Sequence, residues 1–206
     1  MPNPIGPALF LSFAAVVLFV FVSVSPPVWD KISFLNIYTP EGDTAFGVFG
    51  ACIKGGVCSR RSVGYTLAAP GTGNVNLNQT VLHKLTYTLI LHPIAGALAL
   101  LALLFGFLGL ALASRILTIL MSVFAFLGAI VGLVVFVIDM VIWNVLKNRL
   151  HDNDISASLG NANWLTVAAV FSLFVATCTA MLGAFGRFAT GRAAGEKVGC
   201  DLEMPR

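Results

Sequence analysis

Four long apolar runs constrain this chain more than any other feature. They are IGPALFLSFAAVVLFVFVSVS over about 5–25, TLILHPIAGALALLALLFGFLGLALA over about 88–113, ILTILMSVFAFLGAIVGLVVFVIDMVIW over about 116–143 and WLTVAAVFSLFVATCTAMLGAFG over about 164–186. Each meets the need for about 20 apolar residues to cross a ~30 Å hydrocarbon core. Lipid offers backbone groups no hydrogen-bond partners, so such spans must be helical. The chain is 58% hydrophobic and only 10% charged, against roughly 25% charged in a soluble domain. It is an all-α membrane protein in expectation, with four transmembrane helices in a bundle. Its net charge of +3 is small and scattered, with no basic stripe, so a nucleic-acid partner is not expected. Membrane lipids are.

The first run has an alternative as a cleaved signal peptide. It lacks a basic start, and SVSPPVW has no A-x-A site, with Pro26 and Pro27 where cutting would fall. A retained first helix is the better reading. The expected plan is one four-span domain over residues 1–187 and a short cytoplasmic tail over 188–206.

Four spans place both termini on one side and two loops on the other. One loop is long, residues 26–87, and the other short, about 144–163. Orientation follows Lys and Arg in short segments near span ends, and discounts long translocated loops. Arg115, Arg187, Arg192 and Lys197 crowd the terminal side, which favours cytoplasmic termini. The only N-x-S/T sequon, at Asn78, lies in the long loop and makes Asn78 a glycosylation candidate. Trp29, Trp143 and Trp164 all fall at span ends on that side, beside Tyr87, and are expected to serve as interfacial anchors. The long loop is therefore expected outside.

That loop contains FGVFGACIKGGVCSRRSVGY, residues 46–65. A turn at Lys54-Gly55-Gly56 places Ile53 opposite Val57, so Cys52 and Cys58 face each other one step further along a hairpin. A glycine supplies the positive φ of such a turn. An oxidising compartment would close the pair; the alternative is two unpaired thiols. A zinc site has too few ligands. The following SVGYTLAAPGTGNVNLN predicts a strand and then a Gly/Asn-rich loop. The expectation is a small disulfide-bonded extracellular β-sheet cap on the bundle.

Four spans with a first loop bearing FGVFGAC, a short gap, C and then SVGY resemble fungal membrane proteins of the PalI and eisosome-tetraspan superfamily, with the PalI branch favoured. That group is similar in plan to animal claudins. The motif residues are Gly47, Phe49, Gly50, Gly64 and Tyr65, and Trp29 resembles the claudin loop tryptophan. Phe49 stands where claudins have tryptophan. The resemblance implies a non-enzymatic plasma-membrane protein of ambient-pH signalling that helps hold a receptor at the cell surface. The alternative it implies is a structural organiser of cortical membrane domains, with roles in wall and membrane integrity. Partners would be a membrane receptor or other tetraspan proteins, with a homo-oligomer open. A transporter ranks third, since the spans carry one acidic residue and show no inverted repeat.

No catalytic, metal or cofactor motif occurs, so none is expected. Gly128 and Gly132 form the one GxxxG within the spans, whose small residues let helices approach closely; an internal role is favoured over a dimer. Cys178 is expected as a packing residue, and Cys200 as a plain thiol or a palmitoylation site. Thr80 can cap a helix from Val81, with Pro93 bending or interrupting it just inside the bilayer. The second loop predicts a helix extension followed by a turn.

One pair of ionisable residues lies inside the spans. His92 is about four residues into the second span, and Asp139 about four before Trp143. At about 1.5 Å per residue both sit roughly 6 Å below the outer interface. The two-residue Ser114-Arg115 turn forces the second and third helices together. A charge at mid-bilayer costs about 2.5–3.5 kcal/mol, so each group needs a partner or water. Facing side chains would form an intramembrane pair that loses its charge attraction as the outside turns alkaline. The alternative is two residues reaching interfacial water separately.

Overall fold

The computed structural model describes residues 5–40, 42–63, 87–112 and 114–185. Gly64, Tyr65, Asn78, Thr80, Cys200 and the tail lie outside them, as does most of the predicted strand and loop after Ser62.

Four helices are long and apolar enough to cross a membrane. They are α1 (Ile5–Ser23), α2 (Leu91–Ala111), α3 (Arg115–His151) and α4 (Ala162–Phe185). Each helix meets two others, α1 and α3 both packing against α2 and α4, so the bundle closes in a ring. Because lipid and helix surface are equally apolar, the interfaces rely on close approach rather than on hydrophobic burial. The buried stripes show how. Ala95, Ala99, Ala102, Gly106 and Gly109 line the inner face of α2, and Ala169, Ala176 and Ala180 that of α4. Leu, Val and Phe side chains such as Phe107, Leu133 and Phe171 point outward.

The cap is an antiparallel four-stranded sheet of order β3-β2-β1-β4, from β1 (Leu35–Tyr38), β2 (Thr44–Phe46), β3 (Ala51–Ile53) and β4 (Ser156–Leu159). Leu35 pairs with Phe46 on one side and Leu159 on the other. The strand β4 comes from the loop between α3 and α4, where only a turn was expected after the helix extension. Its edge partner is β1, over a hundred residues earlier, and that pairing leaves no local signature. The hairpin matches expectation: the Ile53 N–H donates to the Val57 carbonyl at 3.2 Å. Cys52 and Cys58 are joined as a disulfide, and Gly55 takes φ +75°.

Three expectations fail here. Pro93 does not interrupt α2. A 3₁₀ turn, Tyr87–Ile90, leads directly into the helix at Leu91, so Pro93 falls in the first α-helical turn, where proline is tolerated; the Leu89 carbonyl it leaves free lies 3.1 Å from His92 Nδ1. Trp143 is not an interfacial anchor. The helix α3 runs on to His151, about 55 Å in all at 1.5 Å per residue, and the cap folds over Trp143, leaving it fully buried. Trp29 and Trp164, 40% and 70% exposed, do fit an interfacial belt. A third correction is Cys178, which is exposed on α4, on the outer face rather than packed inside.

Candidate functional site

Between cap and bundle, three helices and one cap residue converge on a buried polar pair. His92 opens the inner stripe of α2, three residues before Ala95, and Asp139 continues the inner stripe of α3 from Gly132 and Val135. The helical period therefore turns both side chains inward. His92 Nε2 lies 3.1 Å from Asp139 Oδ2, and neither side chain has any exposed surface. His92 Nδ1 lies 3.1 Å from the Leu89 carbonyl of the 3₁₀ turn. From α4, Thr166 Oγ1 approaches Nε2 at 3.4 Å, and its hydroxyl donates to the Ala162 carbonyl at 3.0 Å.

The cap closes this pair from above. The Phe34 ring meets the His92 ring edge to face, centroids 5.1 Å apart. It also stacks on Trp143 at 5.8 Å, which touches Phe46 in turn. Phe34 is itself held by backbone: its N–H donates to Phe46 O at 2.8 Å, and its carbonyl accepts from Gly160 N–H at 2.8 Å and from Asn163 Nδ2 at 3.1 Å. A cluster of Val22, Leu35, Leu89, Ile142 and Leu146 packs around this layer. The shared depth of His92 and Asp139 was legible in the sequence; the contributions of Phe34, Thr166 and the Leu89 carbonyl were not. No pattern within a single segment marks them.

The other anticipated residues have structural places. Two motif glycines leave room for close neighbours: a Cβ on Gly47 would collide with the Pro26 backbone, and one on Gly50 with the Ser59 side chain. Phe49 packs against the cap cluster. Trp29 meets Phe21, centroids 5.9 Å apart. Gly128 faces Leu173 of α4 and Leu98 of α2, and Gly132 faces Val170 of α4 and Phe19 of α1. The GxxxG thus serves the internal bundle. Among the described residues, no group of three His, Cys, Asp or Glu side chains is placed to hold a metal ion.

The model of the SUR7/PalI family matches residues 5–178, from α1 into α4 and including the cap. The chain is similar to the pH-response regulator protein palI/prr-5 of Neurospora crassa, 30% identical over 151 residues. That alignment covers 69% of this chain and 21% of the relative. It is also similar to the pH-response regulator protein palI/RIM9 of Yarrowia lipolytica, 42% identical over 73 residues, 35% of this chain and 10% of that protein. The chain therefore spans about a fifth or less of the length of these relatives. Four apolar helices under a disulfide-bonded sheet, and a family match over most of the residues, lead to one conclusion: the chain belongs to the SUR7/PalI family.

Proposed function

We propose that this chain is a non-enzymatic accessory protein of the plasma membrane that supports a receptor for ambient alkaline pH at the cell surface. The observation that carries the reading is its similarity to two pH-response regulators, one of them matched over 69% of this chain. The architecture suits such a role. A bundle with small-residue interfaces and a cap whose strands are drawn from two loops offers a rigid membrane platform with one outer and one inner face. In this reading the cap is extracellular and both termini are cytoplasmic. The receptor binds within or beside the bilayer, and lipids cover the apolar groove of about 420 Å³ between α3 and α4. Residues 1–187 act as one four-span unit and 188–206 as its tail.

A deletion strain tests the reading. Growth should fail at alkaline pH and return when this chain is re-expressed, with cortical membrane domains distributed as in the parent. Normal alkaline growth with dispersed cortical domains would replace the accessory role with that of a structural organiser.

A further inference from the structure

We propose that His92 and Asp139 together bind a single proton, and that this bound proton seats the cap on the bundle. The site and its ligand, a proton taken from the outer side, go beyond the accessory role and stand on geometry alone. A carbonyl only accepts hydrogen bonds, so the contact with Leu89 O requires hydrogen on Nδ1. The remaining ring nitrogen faces Asp139 Oδ2 at 3.1 Å. With Nδ1–H fixed, the pair is neutral only when it holds one further proton, whether as imidazolium against carboxylate or as imidazole against carboxylic acid. Both arrangements hold the same proton and both are neutral overall, which a fully buried site demands. Neither Asp139 oxygen has a hydrogen-bond partner among the described residues, and Nε2 also has Thr166 Oγ1 at 3.4 Å.

Removing that proton to hydroxide leaves the carboxylate facing the Nε2 lone pair. Among the described residues, no neighbouring charge compensates. From α1 no titratable side chain is available, since Ile5–Ser23 contains none. From α4 the facing polar group is Thr166, whose hydroxyl is already given to Ala162. From the described part of the cap the facing residue is Phe34, and Asp30, Lys31, Lys54, Arg60 and Arg61 are exposed at the surface. On α3 itself, Lys147, Arg149 and His151 lie two or more turns further along, and Tyr87 in the preceding turn is half exposed. Among the described residues, the buried polar side chains include no third titratable group. The deprotonated pair therefore separates or draws in water. The His92 ring then leaves the edge of Phe34, whose backbone ties β2 and the Gly160 end of β4 together.

The test uses the full chain in lipid nanodiscs, with His83→Gln and His151→Gln so that His92 is the sole histidine. Nitrogen NMR of the imidazole is followed from acid to strongly alkaline pH, beside near-ultraviolet circular dichroism of the Phe34–Trp143 layer. The expected result is an Nδ1 that stays protonated, an Nε2 signal that shifts as pH rises, and a dichroism change that tracks it. Asp139→Asn should abolish the joint change. An Nε2 signal constant over the whole range, an unprotonated Nδ1, or a dichroism change that persists unaltered in Asp139→Asn overturns the proposal. Should Asp139→Asn not fold, the parent titration decides alone: nitrogen and dichroism signals that change at different pH values overturn the link to the cap.

Discussion

Gly132 has no room for a methyl group. A Cβ there would stand 2.8 Å from Val170 Cγ2 and 3.1 Å from Phe19 Cζ. Val170 is β-branched and stiff, and Phe19 is fully buried, so neither neighbour yields easily. Overpacking of this kind costs about 1–3 kcal/mol, against about 1 kcal/mol gained by replacing a helical glycine with alanine. Gly128 differs, because its Cβ would meet the flexible end of Leu173 at 3.2 Å, which can swing by a few tenths of an ångström. Gly132→Ala should therefore lower the thermal unfolding midpoint in detergent, while Gly128→Ala leaves it level or raises it. Equal effects of the two substitutions would contradict this account of the GxxxG. Trp143 supplies a second residue-scale expectation. It is wholly buried between Phe34 and Phe46, so Trp143→Ala should cost about 3–5 kcal/mol, a loss no lipid-facing anchor would show. Trp164→Ala, at 70% exposure, is the matching control and should barely move the midpoint.

At the scale of elements, the cap hairpin is short and its tip is exposed, with Val57 81% accessible. Three-residue strands hold few ladder bonds, so the Cys52–Cys58 link supplies much of its order. Closing so small a loop contributes ~2 kcal/mol by the chain-entropy relation. Cys52→Ala with Cys58→Ala should speed tryptic cleavage at the adjoining Arg60 and Arg61 several-fold, with the four helices still intact by circular dichroism; unchanged cleavage rates would show that the cross-link adds nothing to the hairpin. This hairpin was legible in the sequence because everything that makes it is local: two glycines, two cysteines and their spacing. The helices were legible for a similar reason, since a bilayer demands long apolar runs whatever they later touch. The strand β4 was not, because it exists through a partner over a hundred residues away; β1 and β2 pair locally but are only three or four residues long. Trp143 was misplaced for the same cause: its position at the end of an apolar run fits a membrane interface, and only the distant Phe34 and Phe46 reveal a core residue. Half of the buried site could be read, namely His92 and Asp139, because a two-residue turn fixes their relative depth. Phe34 and Thr166 come from separate segments that no local pattern brings together.

On the scale of the whole molecule, one sheet takes strands from both loops, and this determines which parts of the chain share a side. β1 follows α1, β4 follows α3, and they pair over four residues in register. Both loops must then lie on one face of the membrane, and Ser114, the start of α1 and the end of α4 on the other. The proposed orientation, with the cap outside, rests on charge. Arg115 lies in the two-residue turn after α2 and Arg187 just beyond α4, and basic residues this close to span ends favour the cytoplasmic side. The lysines and arginines of the cap sit in a long loop, which translocates largely regardless of its charge. A disulfide also forms and persists outside the reducing cytosol. The orientation can be read with single cysteines in a Cys178→Ala, Cys200→Ala background, labelled by a membrane-impermeant maleimide on intact spheroplasts. Asn153→Cys, exposed between α3 and β4, should label at once. Ser114→Cys, in the turn between α2 and α3, should label only after the membrane is opened. The reverse pattern would put the cap inside the cell, where the His92–Asp139 pair would face cytoplasmic pH and could not report the medium. Labelling of both positions on intact cells would mean that the two-loop sheet does not form in the membrane.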